Sequence, residues 1–320
     1  MVPEQRERVM EADLSSPDLV KWLKLTLVGK GLGPVRIQKL LEAFNYDLDS
    51  IFNAQAARLL SLSFLNSKIV EGIEKLKVAS DDGFSELIQT CRERGIRITP
   101  LIAREYPEKL KRIPSPPLTL YLWGNSKLLE KRLSIAVVGS RYASERAREI
   151  AYDYSKYLSG QGVTIISGGA RGIDSAAHQG VLNSSNKGNI CVLGSGFFRI
   201  YPPENEDLFR QIIKNDGLLV SEYSPNFSGA SYSFLQRNRI TSGLADSVFI
   251  VAASKTGGGL NQAKYANIQK KPILCPRLSS EGLFPIEGLE TVVKEYNAVQ
   301  VDSPEQILSI TANYSNILFE

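Results

Sequence analysis

Residues 134–174 read SIAVVGSRYASERAREIAYDYSKYLSGQGVTIISGGARGID, and this stretch decides the fold. It opens with an apolar run that ends in a glycine turn, and it continues as an amphipathic helix predicted over 143–159. A second apolar run, 163–167, then ends in another glycine turn. Strands that are apolar on both faces and alternate with helices are typical of a parallel sheet covered on both sides. The stretch therefore predicts the start of an α/β domain.

The same alternation continues through the second half of the chain. Further strands are predicted at 189–194, 217–222, 247–253 and 272–276. Further helices are predicted at 172–183, 204–214, 232–243 and 259–269. We therefore predict the α/β class, with a Rossmann-like, doubly wound and mostly parallel sheet whose core spans about residues 134–300.

Residues 17 to about 80 are rich in helix formers and contain no convincing strand. Ser16 and Pro17 are typical of a helix start. The apolar stripe of that helix comprises Leu19, Val20, Leu23 and Leu27. A glycine turn then leads into a second helix, and the pair resembles a helix-hairpin-helix or SAM-like unit; a small bundle for packing or protein contacts is the alternative. We predict an all-helical domain at 1–82 and the Rossmann-like domain at 83–320, with the prolines of 100–125 favouring an irregular, extended connection.

The composition excludes several classes of protein. The 320 residues are 43% apolar and 22% charged, as in ordinary globular proteins. Apolar runs such as SVFIVAA at 247–253 are far shorter than the roughly 20 residues that cross a bilayer. The polar N-terminus lacks the apolar segment of a secretory signal. We therefore expect a cytoplasmic protein without a membrane span.

The cysteines and charges narrow the chemistry further. Cys91, Cys191 and Cys275 are widely spaced, and with one histidine in the chain they indicate neither a disulfide framework nor a zinc site. We expect three reduced, buried thiols, no metal and no cofactor. The net charge is +4, and residues 237–271 hold six Lys or Arg against the single acid Asp246. One face of the second half should therefore carry a positive field.

The turns that follow the predicted strands are rich in glycine. They read VVGSRYAS, ISGGARGID, VLGSGFFRIYPPEN, VSEYSP and VAASKTGGGLNQA. In an open parallel sheet these turns meet at the carboxyl edge, where glycines and helix N-termini favour anions. The chain contains neither G-x-x-x-x-G-K-[ST] nor G-x-G-x-x-G after its first strand, so Walker-type ATP hydrolysis and hydride transfer are disfavoured.

Arginines mark the predicted edge. Arg141 follows the first turn, where a forked cation at a helix N-terminus suits a phosphate; a salt bridge with Glu145 is the alternative. Arg171 extends the same edge, and Asp174 could cap the helix or orient that arginine. The glycines beside it, Gly168, Gly169 and Gly172, could instead serve only tight packing of strand against helix.

Other side chains have two interpretations each. Phe197, Phe198 and Tyr201 lie beside Arg199 in the third turn and could stack on unpaired bases or anchor the loop. The three residues Arg237, Asn238 and Arg239 could hold phosphates or brace neighbouring loops, and we expect both. Glu222 could act as an acid or base or pair with an arginine. We predict a packing role for His178, which has no nucleophile partner in the sequence.

Several ordered motifs make the chain similar to the DNA-processing protein A family (DprA, also called Smf). The stretch YPEKLKRIPSPPLTLYLWGN is followed in the family's order by VVGSR, SGGARGIDSAAHQGVL, VLGSGFFRIYPPEN, LLVSEYSP and QRNRITSGLAD. The resemblance covers roughly residues 84–300. It implies an extended Rossmann domain that binds single-stranded DNA in a basic pocket, forms a homodimer and helps to load a RecA-type recombinase during DNA transformation or recombination.

The residues and the resemblance together give one set of candidates for nucleic-acid binding and none for catalysis. They are Gly139, Ser140, Arg141, Ser167, Gly168, Gly169, Arg171, Gly172, Gly194, Phe197, Phe198, Arg199, Arg237, Asn238, Arg239 and Lys264.

The chain departs from the family pattern at two places, which keeps other functions open. TGGGLNQAKYA at 256–266 stands where the family usually has SGSLITA, and ASYSFLQRNR lacks a proline and an arginine of the family motif. A divergent member could serve in phage defence or as the regulatory partner of a toxin. A phosphoribohydrolase-like enzyme acting on nucleotides, or a purely protein-binding regulator, are the remaining alternatives.

Overall fold

The computed structural model describes residues 15–26, 31–131 and 133–317. The predictions for the extreme N-terminus, for Leu27 and for the start of the following glycine turn lie outside these residues. The chain forms two compact units. The first ends at Tyr106 and includes Ser115–Leu120, and the second comprises Pro107–Pro114 and the chain from Tyr121 onward. The domain boundary after residue 82 stays a prediction.

The first unit is mainly helical. Its helices are α1 (Ser16–Thr26), α2 (Pro34–Ala43), α3 (Leu48–Asn53), α4 (Ala56–Leu60), α5 (Ser67–Lys77) and α6 (Asp82–Glu93), followed by strand β1 (Ile96–Pro100). Helix α1 buries Trp22, whose indole Nε1 donates a 2.9 Å hydrogen bond to Thr119. The α5 helix begins after Asn66, whose side chain accepts a hydrogen bond from the Ile69 amide and so caps the helix. Ile37, Leu40 and Ile51 belong to the core around Trp22.

The second unit is the predicted α/β domain. Its strands are β2 (Thr119–Gly124), which belongs to this unit from Tyr121 onward, β3 (Ser134–Gly139), β4 (Thr164–Ser167), β5 (Asn189–Leu193), β6 (Leu218–Ser221), β7 (Ser247–Ala252), β8 (Ile273–Pro276) and β9 (Val299–Val301). Its helices are α7 (Glu108–Lys111), α8 (Glu145–Gly160), α9 (Ile173–Leu182), α10 (Glu206–Lys214), α11 (Ser231–Gln236), α12 (Asn238–Leu244), α13 (Gly258–Ile268), α14 (Glu287–Tyr296) and α15 (Pro304–Ile317). Short 3-10 helices lie at Ser126–Glu130 and Pro203–Asn205.

The order of its strands is β2-β6-β5-β4-β3-β7-β8-β9. Only β2 runs antiparallel to its neighbour, with Tyr121 opposite Ser221; the pairs from β6 to β9 are parallel. The chain adds strands on one side of β3 up to β6 and then returns to add β7 on the other side. The direction in which the chain adds strands therefore reverses between β3 and β7. Ligands of open α/β sheets bind at such a point.

The main difference from the sequence prediction lies in residues 100–125, which we expected to be irregular. They contain the short helix α7 and the strand β2. The prolines end before the apolar residues 120–123, which are buried or partly buried, and residues 121–124 pair with β6. Proline is compatible with the start of a strand, so the prolines did not exclude one here.

No helix among the described residues combines the length and the apolar character needed to cross a membrane. Within the same residues, no group of His, Cys, Asp and Glu is arranged to hold a metal ion. The three cysteines are free, and their burial agrees with the prediction.

Candidate functional site

A cleft of about 490 Å³ opens at the carboxyl ends of β3 and β7, where the direction of strand addition reverses. Three walls form it: the turn after β3, the turn after β7 with the start of α13, and the α11–α12 segment. A smaller cavity of about 100 Å³ adjoins it. Both are lined by Arg141, Tyr142, Ala170, Tyr201, Phe234 and Arg237.

Backbone hydrogen bonds fix the turn after β3. The Ser140 amide donates to the carbonyl of Ala252 at 2.9 Å, which ties the turn to β7, and the Ser140 carbonyl accepts from the Ile173 amide at 3.3 Å. Gly172 passes directly over this turn with φ +75°, and a Cβ there would lie 2.4 Å from the Ser140 oxygen. Glycine is thus required at Gly172 by both conformation and space.

Arg141 is exposed at the mouth of the cleft. Within the described part of the chain no carboxylate lies within ion-pair distance of its guanidinium, so the alternative salt bridge with Glu145 is not formed. Tyr142 beside it has 81% of its surface exposed, and its amide donates to the Ser140 hydroxyl at 3.1 Å. The turn therefore presents an unneutralised cation next to an aromatic ring.

Arg237 forms the floor between the two cavities. It is only 5% exposed, and its Nη1 donates a 2.8 Å hydrogen bond to the Val192 carbonyl. The Gly168 backbone lies against this guanidinium so closely that a Cβ would fall 1.4 Å from Nη1. Its Nε is buried without a partner among the described residues. Arg237 is therefore a buried brace that also turns a positive group toward the cleft.

Asp174 is the acid that lines the cleft. Burial raises the pKa of its carboxyl, against the opposing effect of the Arg237 charge. Its carboxylate accepts a 3.3 Å hydrogen bond from the Ala170 amide. The expectation that Asp174 orients Arg171 is wrong, because the guanidinium of Arg171 pairs with Glu204.

The Arg171–Glu204 pair is about half exposed, with 51% of one side chain and 44% of the other accessible. A hydrogen bond from Arg171 lowers the pKa of Glu204, and the same bond raises the pKa of Arg171. Arg171 lines the smaller cavity. Its positive charge is therefore present at the site but is occupied by an intramolecular carboxylate.

The remaining residues of the Arg-Asn-Arg segment are largely bracing. Arg239 makes two hydrogen bonds, of 2.8 and 2.6 Å, to the carboxylate of Glu222. The sequence left two roles open for Glu222, as an acid or base or as the partner of an arginine. The structure shows the second. The side-chain amide of Asn238 donates to the side-chain oxygen of Asn261 at 2.9 Å, and the backbone carbonyl of Asn238 accepts from the side chain of Gln262 at 3.1 Å. These bonds join α12 to α13 and so position the third wall.

The aromatic residues of the third turn are not equivalent. Phe197 is buried, with its ring centre 5.9 Å from that of Trp123. Phe198 is partly buried, and its amide donates to the carbonyl of Pro225 at 2.8 Å. Tyr201 lines both cavities and lies 5.0 Å from the ring of Phe234. Of the three aromatics, Tyr201 is the one whose ring faces the site.

The structure brings half of the candidate residues together around the two cavities. These are Gly139, Ser140, Arg141, Gly168, Arg171, Gly194, Arg237 and Asn238. The other candidates do not line them: Ser167, Gly169, Gly172, Phe197, Phe198, Arg199, Arg239 and Lys264. The Ser167 hydroxyl donates to the Val137 carbonyl at 2.6 Å, and Gly169 packs against Phe209 and Cys191. Arg199 and Lys264 are exposed elsewhere. The binding role of the set stays a prediction.

Some residues that line the cleft were not among the candidates. They are Tyr142, Phe234, Ser254, Gln262 and the three glycines 257–259. Helix α13 begins after Gly257 without a capping side chain and without an acid in its first turn. Its free N–H groups and its dipole favour an anion. The sequence feature that could have identified this part of the cleft is the glycine run between an apolar strand and a helix.

The family model and the curated relatives indicate one family. A family model described as DNA recombination-mediator protein A matches residues 97–312. Protein Smf of Synechocystis sp. is 32% identical over 257 residues, which cover 79% of this chain and 63% of the relative. DNA processing protein DprA of Bacillus subtilis is 34% identical over 189 residues, covering 59% and 63% respectively. The chain thus spans a little under two thirds of the length of these relatives.

Two solved structures are also similar. DNA processing protein A from Streptococcus pneumoniae matches with a TM-score of 0.77 and 26% identity, over 93% of this chain and 98% of that one. DNA processing protein A from Helicobacter pylori, described for its single-stranded DNA binding mode, matches with a TM-score of 0.58 and 26% identity, over 70% of this chain and 96% of that one.

Proposed function

The chain belongs to the DNA recombination-mediator protein A family, and from this premise we propose that it binds single-stranded DNA in the cleft between β3 and β7. The observation that carries the proposal is the unpaired guanidinium of Arg141 at the mouth of that cleft. The uncapped start of α13 lies across the same cleft and adds backbone donors. Both features attract the phosphates of a nucleic-acid backbone.

The preference for a single strand follows from the aromatic residues. Tyr142 and Tyr201 are exposed at the site, and Tyr201 packs on Phe234. Such rings stack on unpaired bases, with about 1–3 kcal/mol for each base, and they do so without sequence preference. In a duplex the base faces are covered by neighbouring pairs. A basic cleft with exposed rings therefore favours an unpaired strand of any sequence.

A binding role fits the site better than catalysis. Glu222, the candidate acid or base, is held by two hydrogen bonds from Arg239 and does not line the cleft. We extend the proposal, by membership of the family, to a cytoplasmic homodimer that helps to load a RecA-type recombinase. We assign this role to DNA transformation or recombination, and a role in phage defence is the alternative.

Titration of a fluorescent single-stranded oligonucleotide tests the proposal. We expect Arg141→Ala to weaken binding by about 10- to 100-fold, because a charged hydrogen bond contributes about 1.5–3 kcal/mol. The variant should also lose about 0.7 from the slope of log affinity against log salt for each phosphate contact removed. Arg97→Ala is the matched control, since Arg97 is exposed in the first unit and lines neither cavity.

Competition by duplex and by free nucleotides completes the experiment. We expect duplex to compete poorly, and mononucleotides to compete only at much higher concentration, because they offer one phosphate and one base. Equal affinity and salt slope for Arg141→Ala and the parent protein would refute the cleft as the binding site. Release of free base from a nucleotide would favour the phosphoribohydrolase-like alternative.

A further inference from the structure

A second group of basic residues lies at the opposite edge of the sheet. Ser134 is the first residue of β3, Asp246 directly precedes β7, and Lys271 lies two residues before β8. Lys109 of α7 reaches the same place, and Arg112 follows that helix. We refer to Lys109, Arg112, Asp246 and Lys271 as the amino-edge cluster. It is at the amino ends of β3, β7 and β8, whereas the cleft is at the carboxyl ends of β3 and β7.

The carboxylate of this cluster is that of Asp246, and it already accepts hydrogen bonds from Lys109 and Ser134. Asp246 is 5% exposed, and its Oδ2 accepts hydrogen bonds from the Lys109 ammonium at 2.8 Å and from the Ser134 amide at 2.9 Å. The Ser134 hydroxyl donates to the same oxygen at 2.9 Å. This pairing neutralises Lys109 and leaves Asp246 little capacity for further cations.

Lys271 and Arg112 have no such partner. Across the described ranges of the chain, no carboxylate lies within ion-pair distance of either side chain. Lys271 is mostly buried, and burial lowers the pKa of its ammonium. Asp246 acts against this, while the charges of Lys109 and Arg112 lower the same pKa further. A partly desolvated cation among like charges is costly unless an anion neutralises it.

We propose that the amino-edge cluster is a second anion site, which takes a backbone phosphate of the strand held in the cleft. This inference rests on the proposed function. It favours a nucleic acid over a free anion because a strand bound at the carboxyl edge holds its distal phosphates near the protein at a high effective concentration. A strand too short to leave the cleft would not reach the cluster.

The competing explanation is structural. Lys271 follows the C-terminal end of α13, where a cation stabilises the helix dipole. That role predicts a loss of stability when the charge is removed and no change in DNA binding. The two explanations therefore differ in a measurable way.

The test compares short and long single-stranded oligonucleotides. The double variant Lys271→Gln, Arg112→Gln retains Lys109 and its bond to the buried Asp246. For a long strand we expect weaker binding and a salt slope smaller by about 0.7, because the contact with one phosphate is lost. For a strand that fills only the cleft we expect no change. The control variant Lys214→Gln, Lys294→Gln removes the same charge from exposed positions and should leave both unchanged.

A second measurement reports on Lys271 itself. NMR titration of the lysine side chains should show its pKa rising when the long strand is bound and staying constant with the short one. Equal loss of long-strand binding in the control variant would overturn the inference, as would a variant that melts earlier but binds every strand normally. If Arg141→Ala weakens binding while the amino-edge variant does not, the cleft proposal stands and this one fails. If neither variant has an effect, both fail.

Discussion

Gly168 has no room for a side chain, because the guanidinium of Arg237 occupies the position of a Cβ. Arg237 cannot move aside without breaking its bond to Val192 and leaving a charge buried without a partner. We therefore expect Gly168→Ala to lower the free energy of unfolding by about 3 kcal/mol, because a buried charged donor would lose its hydrogen-bond partner. Urea denaturation of the purified variant measures this.

Gly258→Ala is the control for that substitution. Gly258 is the first residue of α13, and a Cβ there would meet nothing within 4 Å. Alanine is a better helix former than glycine by up to about 1 kcal/mol, so this variant should be unchanged or slightly more stable. Equal stability of the two variants would show that Arg237 is not held as described.

Glu204 pairs with Arg171, and we expect it to compete with DNA phosphates for that arginine. Because the pair is half exposed, the carboxylate is a weak competitor. We expect Glu204→Gln to raise the affinity for single-stranded DNA by up to about fivefold at low salt, with the gain disappearing at high salt. Fluorescence titration at two salt concentrations measures it. Glu206→Gln is the matched control, since Glu206 pairs with the exposed Arg210 and lines neither cavity.

A gain of the same size in Glu206→Gln would mean that only the net charge matters.

These residues also show the limit of prediction from sequence. Arg141 could be placed because it lies two residues after the glycine that ends a strand, which is local information. Glu204 lies 33 positions from Arg171, and only the folded chain brings the two together. The burial of Phe197 against Trp123 was hidden for the same reason.

At the scale of elements, the predicted strands and helices of residues 134–276 match the structure closely in position, except that the one helix predicted at 232–243 is the two helices α11 and α12. Their periodicity is local, since a strand covered on both faces must be apolar throughout. The short strands β1, β2 and β9 were not predicted. β9 has three residues, of which two are exposed, so its sequence has no apolar run. β2 was obscured by the prolines that precede it.

The contact between α9 and β5 makes stability depend on pH. His178 is fully buried on α9, and its Nδ1 is 2.6 Å from the Oδ1 of Asn189 at the start of β5. Burial lowers the pKa of His178 to about 4, so the ring stays neutral in the folded protein. An unfolded histidine binds a proton below about pH 6.5. Stability should therefore fall as the pH drops from about 6.5 to about 4.

The size of this effect is on the order of 3 kcal/mol, from the difference between the two pKa values. Urea denaturation between pH 4 and 8 measures it. His178→Gln removes the titrating ring, so its stability should depend less on pH over the same window, although other groups still titrate. A variant with the same pH dependence as the parent protein would show that His178 is not buried in the neutral form.

At the scale of the whole molecule, the chain has two compact units, each with its own buried residues. The sequence predicted a domain boundary after residue 82, because a part rich in helix formers is followed by a part in which apolar strands alternate with helices. It did not show that β1 lies in the first compact unit, since that depends on tertiary contacts. Whether each unit is a separate folding domain can be tested with the cysteines.

Cys91 lies in the first unit, and Cys191 and Cys275 lie in the second. Burial raises the pKa of Cys91 to about 11 and that of Cys275 to about 12, and it raises the pKa of Cys191 as well. Because thiolates are the reactive form, we expect a maleimide to label none of the three in the native protein at neutral pH. In increasing urea Cys91 should become reactive first, because the smaller unit buries less surface. Mass spectrometry assigns the labelled cysteine, with fully denatured protein as the control. Simultaneous labelling of all three would show that the two units unfold together.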